Sequence, residues 1–227
     1  VGGPDYTHFQ YDMAMVGRRQ VGSTIKPYLY TLAMENGFSP CDQTRNVEQT
    51  ILTEDGQVWA PRNTGRPEDY GSIVTLRWGL SQSNNWISAY LMSKLNPYAF
   101  KRLIHQFGIR NQDVQPVPSL CLGPCDISVG AMAGAYTAFP NNGIRTEPLF
   151  VTRIEDNEGN IVATFAPKTH EVISKESSYK MIDMMKAVID EGTGRRLRFK
   201  YRFTAEIAGK TGTTNNNSDG WFTGSTP

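Results

Sequence analysis

Lys210-Thr211-Gly212-Thr213 stands near the end of this 227-residue chain, behind a run from Thr204 to Ala208 that reads as a β-strand. Far upstream lies Gly22-Ser23-Thr24-Ile25-Lys26-Pro27. The two stretches put a serine nucleophile, a lysine base and an anion-binding strand in one polypeptide.

A serine hydroxyl is a poor nucleophile at neutral pH, so another group must take its proton, and a neutral lysine can do so. Ser23 and Lys26 are three positions apart, which on a helix places them on one face within reach of each other. Gly22 marks a tight entry to that helix. Ser23 then falls at its N-terminus, where free backbone N–H groups and the helix dipole favour developing negative charge. Pro27 fits the first turn, because the donor it lacks has no intrahelical partner there. Lys26 must be uncharged to act. Moving a lysine down from about 10.4 costs roughly 1.4 kcal/mol per pH unit, so burial and a neighbouring cation must supply the shift, and Lys210 is the candidate cation.

Ser-x-x-Lys by itself says little, since the chain contains a second copy, Ser177-Ser178-Tyr179-Lys180. That copy lacks the glycine entry and the proline. Met181, Ile182, Met185, Val188 and Ile189 recur around it at helical spacing, with Ser174 as N-cap, so it reads as an amphipathic helix packed on the core. Lys-Thr-Gly-Thr is much rarer by composition. Between the two elements stands Ser81-Gln82-Ser83-Asn84-Asn85. Ser83 supplies a hydroxyl that can relay a proton, and Asn85 an amide that can grip a peptide-like substrate or hold the lysine. Taken alone such a cluster reads as a turn. Its weight comes from its place in the order.

Other chemistries fit less well. Gly209-Lys210-Thr211 could end a phosphate-binding loop, but the first glycine of that pattern falls on Thr204, in a segment that reads as strand. His8, His105 and His170 are scattered, and no serine stands in a Gly-x-Ser-x-Gly elbow. Cys121 and Cys125 lie four apart without the wider pattern of a zinc site, so no metal or cofactor is expected. With Cys41 they make three cysteines, leaving at least one thiol unpaired; a Cys121–Cys125 disulfide and separate buried or loop thiols both stay open.

The length allows one sizeable core, or one domain with a small lobe. The net charge of +1, from 23 basic and 22 acidic residues, gives no nucleic-acid footprint and no polybasic membrane patch. No stretch reaches the length of a transmembrane helix, and Val1-Gly2-Gly3-Pro4 does not read as a signal peptide, so targeting is expected to lie outside this sequence.

Along the chain, 24–37 reads as the nucleophile helix with a glycine stop at Gly37, followed by a loop-rich stretch from Ser39 to Tyr70. Helices are expected over 75–79, 86–95 and 97–107, the last stopping at Gly108, and over the small apolar run 128–139. Two β-rich runs between Leu149 and Phe165 flank the turn Asp156-Asn157-Glu158-Gly159-Asn160. The helix over 174–190 follows. The last strand turns through Asn215-Asn216-Asn217-Ser218-Asp219 into a second strand at 221–224.

The ordered set Ser-x-x-Lys, Ser-x-Asn, Lys-Thr-Gly resembles the signature of penicillin-binding proteins and serine β-lactamases. The likeness extends further. Arg19-Gln20-Val21-Gly22-Ser23-Thr24-Ile25-Lys26-Pro27 is similar to the nucleophile segment of class A penicillin-binding proteins. So are Trp59-Ala60-Pro61-Arg62-Asn63 with Tyr70-Gly71, Gly134-Ala135-Tyr136 running to Asn142-Gly143, and Gly192-Thr193-Gly194. It covers essentially the whole chain.

The resemblance implies an α/β (α+β) fold in which helices pack on both sides of an antiparallel sheet. It also implies that residues 1–227 are an internal piece of a transpeptidase domain, with further strands before Val1 and after Pro227 and a glycosyltransferase domain elsewhere in the parent chain. A lone two-stranded hairpin is marginal unless packed on helices. The implied activity is acyl transfer on the D-Ala-D-Ala end of peptidoglycan stem peptides, with β-lactams as acylating mimics, in a periplasmic or extracytoplasmic, membrane-anchored protein. Ser23 is then the nucleophile, Lys26 its base, Ser83 the relay to the departing nitrogen and Asn85 the group orienting the substrate amide. Lys210, Thr211, Gly212 and Thr213 hold the terminal carboxylate, and the N–H groups of Ser23 and Thr213 form the oxyanion hole. A DD-carboxypeptidase and a non-catalytic penicillin sensor share these motifs. A class A β-lactamase would need a glutamate to activate water, and none follows Asn85 until Glu147.

Overall fold

Lys26–Glu35 forms helix α1, and every residue from Lys26 to Met34 is buried. Its sequence, Lys-Pro-Tyr-Leu-Tyr-Thr-Leu-Ala-Met-Glu, is apolar on nearly all sides, which suits an element packed all round. In the computed structural model, which describes residues 5, 7–110, 114–214 and 218–226, α1 is the central rod of the molecule. Around it stand α2 (Leu76–Ser81), α3 (Asn85–Lys94), α4 (Pro97–Gln106), α5 (Val129–Tyr136), α6 (Lys175–Asp190) and the short α7 (Arg196–Phe199). Tyr28 on α1 meets Phe107, Tyr136 and Phe139 at ring separations of 4.8, 5.5 and 5.8 Å. These aromatic contacts join three separate stretches of chain in one core.

The helices start where their caps dictate. Thr75, Asn84, Asn96, Ser128 and Ser174 each accept a bond from a backbone N–H of the following helix. Gly37 and Gly108, at φ +88° and +87°, follow α1 and α4, as the glycine stops anticipate.

The strands are β1 (Arg18–Gln20), β2 (Gln43–Arg45), β3 (Ile51–Leu52), β4 (Val58–Trp59), β5 (Ile73–Thr75), β6 (Asp126–Ser128), β7 (Ile144–Thr146), β8 (Arg153–Glu155), β9 (Ile161–Thr164), β10 (Thr169–Glu171), β11 (Ala208–Thr213) and β12 (Gly220–Ser225). All described pairings are antiparallel and two-stranded: β1 with β6, β2 with β5, β3 with β4, β7 with β10, β8 with β9, and β11 with β12. β11 lies on α6, so the terminal hairpin has the helical support it needs. No helix among the described residues is long and apolar enough to cross a membrane.

One expectation needs correction. The run Thr204 to Ala208 is not a strand, because β11 begins only at Ala208. Upstream of it the Arg198 guanidinium takes the carbonyls of Phe203 and Ala205, both at 2.8 Å, which occupies acceptors a ladder would use. The stretch from Ser39 to Tyr70 is loop-rich as read, with the short β2, β3 and β4 and a 3-10 turn at Pro67–Asp69 set in it. The predicted turn through 215–217 lies outside the described residues.

Candidate active site

Gly22–Ile25 forms one turn of 3-10 helix that runs directly into α1. In a 3-10 turn residues i and i+3 lie one above the other, so Ser23 and Lys26 share a face, and the Lys26 N–H bonds to the Ser23 carbonyl. The turn is clamped from several sides. Gly22 N–H donates to Gly123 O at 3.1 Å and Val21 N–H to Cys125 O at 3.1 Å. The Tyr136 hydroxyl donates to Thr24 O at 2.7 Å, and Trp221 Nε1 to Gln20 O at 3.0 Å. Gly22 has φ +52°, and a Cβ there would lie 2.7 Å from Thr213 O, so the close approach of β11 needs glycine.

Both lysines are fully buried, and they meet at Ser83. Lys26 Nζ donates to Ser83 O and Asn85 Oδ1, each at 2.7 Å, with Ser83 Oγ at 3.4 Å. Lys210 Nζ donates to Ser83 Oγ and Thr211 O, each at 2.9 Å. Ser83 sits between α2 and α3 at φ +53°, a left-handed conformation that costs a non-glycine residue of order 1–3 kcal/mol. That geometry delivers carbonyl and hydroxyl together to one ammonium.

Burial lowers Lys26 to about 7, with a small opposing pull from the Cys121 thiol. Lys210 is pushed well below the ordinary lysine value, first by burial and then by repulsion from Lys26. Burial is the leading cause at both lysines, and the repulsion between them adds to it. Two ammoniums reaching one hydroxyl in a buried site disfavour double charge.

Asn85 takes the second of the two roles read for it, holding the lysine. Its Oδ1 holds Lys26, its Nδ2 donates to Arg62 O at 2.8 Å, and its N–H donates to Asn63 Oδ1 at 3.1 Å. One Nδ2 hydrogen is left for a ligand. Thr211 points its hydroxyl at Thr193, 2.6 Å away, while Thr213 is exposed at the end of β11. In the β11–β12 ladder Thr214 N–H bonds to Asp219 O, and the alternation of antiparallel pairing turns the Thr213 N–H away from β12 and toward Gly22. Gly212 packs against the turn, where a Cβ would lie 2.8 Å from Val21 O.

Lys26, Ser83, Asn85 and Lys210 thus form one hydrogen-bonded cluster, with Ser23 in the turn just ahead of Lys26 and Thr213 against Gly22. Ser23 is half-buried there, and its hydroxyl is not among the groups that Lys26 Nζ contacts. The second Ser-x-x-Lys lies apart: Ser177 and Ser178 are buried on α6, and Lys180 pairs with Glu176 at 2.6 Å. Cys121 and Cys125 are buried, Cys41 is exposed, and none of the three is in a disulfide. Sequence reasoning gave no role to Arg62, Asn63, Tyr136 or Thr193. Each stood in a stretch quoted for its resemblance, which was the available signal.

A family model described as the penicillin-binding protein transpeptidase domain matches residues 1–227. Among curated relatives the chain is 33% identical to penicillin-binding protein 1A of Aquifex aeolicus, and 31% identical to that of Neisseria meningitidis serogroup A. Both matches take in all of this chain but only 30% and 29% of those proteins. Among solved structures it is similar to penicillin-binding protein 1A from Haemophilus influenzae, with a TM-score of 0.89 at 25% identity over 99% of this chain and 39% of that one. Penicillin-binding protein A from M. tuberculosis, solved as an imipenem acyl-enzyme complex, has a TM-score of 0.80 at 18% identity over 94% of this chain and 53% of that one, a likeness of fold.

Proposed function

The chain belongs to the penicillin-binding protein transpeptidase domain family, and from that premise we propose that it carries out serine DD-transpeptidation, joining peptidoglycan stem peptides through an acyl-enzyme on Ser23. The observation that supports this best is the pair of buried lysines converging on the Ser83 hydroxyl.

The chemistry follows from where the protons are held. A neutral Lys26 has two N–H bonds and one lone pair. Ser83 O and Asn85 Oδ1 hold the two N–H bonds, which leaves the lone pair for the face shared with Ser23. Near pH 7 a large fraction of Lys26 is in that form. Ser23 Oγ gives its proton to Lys26 Nζ and bonds to the penultimate D-Ala carbonyl carbon. The resulting oxyanion sits between the N–H groups of Ser23 and Thr213, and losing one such donor typically costs about 3 kcal/mol of barrier. Collapse breaks the C–N bond. The departing D-Ala nitrogen takes a proton from Ser83 Oγ, which Lys26 replenishes. An amine of a second stem peptide then attacks the ester, and Ser23 recovers its proton.

Thr211 and Thr213 offer hydroxyls to the terminal carboxylate, and Lys210 beneath them sets the local field. β-Lactams would acylate Ser23 by the same opening step. In the parent protein, which is longer if it resembles its relatives, we place a glycosyltransferase domain and a membrane anchor on the periplasmic side, with residues 1–227 as part of the transpeptidase domain.

The test is covalent labelling by a fluorescent penicillin together with transfer of a labelled stem-peptide acyl group to an amine. Labelling lost in Ser23→Ala and kept in Ser177→Ala, with acyl transfer to the amine, is the expected result. Transfer to water alone would make the protein a carboxypeptidase, and labelling without turnover a sensor. Label retained in Ser23→Ala would overturn the nucleophile.

A further inference from the structure

Residues 61–70 lie across the start of α3 and are fastened to it at the residue that holds Lys26. Asn63 Oδ1 accepts from Asn85 N–H at 3.1 Å, and Arg62 O accepts from Asn85 Nδ2 at 2.8 Å. The next residue is gripped too: Trp86 Nε1 donates to Pro61 O at 3.0 Å, and the Tyr70 ring lies 4.6 Å from that of Trp86. The Tyr70 hydroxyl returns to Gly65 O at 3.1 Å, closing the segment on itself. A helix N-terminus leaves its first N–H groups without partners. Here Asn84 Oδ1 takes that of Ile87 and Asn63 Oδ1 that of Asn85.

Arg62 O selects the orientation of the Asn85 amide, and Asn63 Oδ1 fixes the backbone that carries it. Turned over, the amide would aim its NH2 at the Lys26 amine, donor against donor, and would set its oxygen against the Arg62 carbonyl. We infer that residues 61–63 form a strap that locks the Asn85 amide with its oxygen on Lys26, and that Asn63 is a positioning residue for acyl transfer. It touches no reacting atom. It acts through Asn85, which directs the lone pair of Lys26 toward Ser23. This inference rests on the function proposed above.

The experiment measures penicillin acylation against pH by rapid mixing, on the full-length protein and its Asn63→Ala and Asn63→Asp variants. Both the rate constant and the final labelled fraction are recorded. With the strap loosened, a protonated Lys26 loses an acceptor, so its titration moves to lower pH. Cys121 and Lys210, the other ionisable groups beside Lys26, are not themselves altered in Asn63→Ala. Asn63→Ala should label to the wild-type fraction but roughly ten- to hundredfold more slowly, the cost of imprecise placement, with the acidic midpoint shifted down. Asn63→Asp keeps the acceptor oxygen and should recover most of the rate above its midpoint, which its added charge moves up rather than down. A wild-type rate and midpoint in Asn63→Ala, or a loss confined to the labelled fraction, would overturn this inference alone. A wild-type protein that takes no label would overturn the proposed function and this inference with it.

Discussion

Lys210 donates to the Ser83 hydroxyl at 2.9 Å across 127 positions of sequence. Lys26 reaches the carbonyl of the same residue at 2.7 Å. Ser83 therefore ties α1 to β11, and its substitutions separate chemistry from folding. Ser83→Ala and Ser83→Gly both remove the relay, and acylation by a penicillin should fall by about 10²-fold or more in each. Their stabilities should differ: glycine suits φ +53° and alanine does not, so Ser83→Gly should be the more stable by about 1 kcal/mol in urea unfolding. Equal midpoints would show that the left-handed backbone is not retained.

The close approach of Gly22 to β11 leaves no room for a methyl group. Gly22→Ala places Cβ 2.7 Å from Thr213 O in an unfavourable backbone conformation. A loss of about 2–4 kcal/mol of stability is expected. Because the clash pushes Thr213 away from Ser23, acylation should also slow in the fraction that remains folded. Rapid-mixing rates on that fraction check this, and an unchanged rate would separate Thr213 from the oxyanion.

Lys26 gives stability a pH dependence of known sign. Its folded value, about 7, lies below the unfolded lysine value, so between the two the unfolded chain binds more protons. Stability should rise with pH from about 7, and Lys210 adds to the rise. Buried Cys121, raised to about 12, and the buried tyrosines Tyr28, Tyr30 and Tyr136, also raised, act oppositely once their unfolded counterparts ionise. The useful window is therefore pH 7 to 8.5. There Lys26→Met should flatten the slope in denaturant unfolding, and a slope equal to wild type would place the proton elsewhere.

Thiol accessibility is equally direct. Cys41 is exposed, whereas Cys121 and Cys125 are buried and Cys121 resists ionisation. A thiol reagent on the native protein should modify one equivalent quickly and two more only after unfolding. Two fast equivalents would contradict the packing beside Gly22.

Tyr136 supplies a last check on the clamp around the nucleophile. Tyr136→Phe strands the buried Thr24 carbonyl without its 2.7 Å partner, at a cost of about 1–3 kcal/mol in unfolding free energy.

Local signals accounted for many of the elements. Ser174, a cap, and Gly37 and Gly108, stops, bound their helices as read, because capping depends on neighbours a few residues away. The pairings of β1 with β6 and of β7 with β10 escaped notice, since three-residue strands carry little periodicity and their partners are remote. The run from Thr204 misled for a related reason. β-Rich composition favours a strand only where a ladder partner is present, and there Arg198 takes the carbonyls instead.

The sequence by itself determined the inventory: a serine and a lysine three apart behind a glycine, a Ser-x-Asn, and Lys-Thr-Gly-Thr, in an order that named the family. Such an inventory is local and chemical. Tertiary structure alone decided how the parts are used. It buried both lysines so that their charges are penalised, turned Ser83 into the left-handed region so that one residue serves both, and set Asn85 on Lys26 by way of Arg62 and Asn63. Desolvation and hydrogen-bond geometry depend on groups brought together from across the chain, and no spacing along the sequence encodes them.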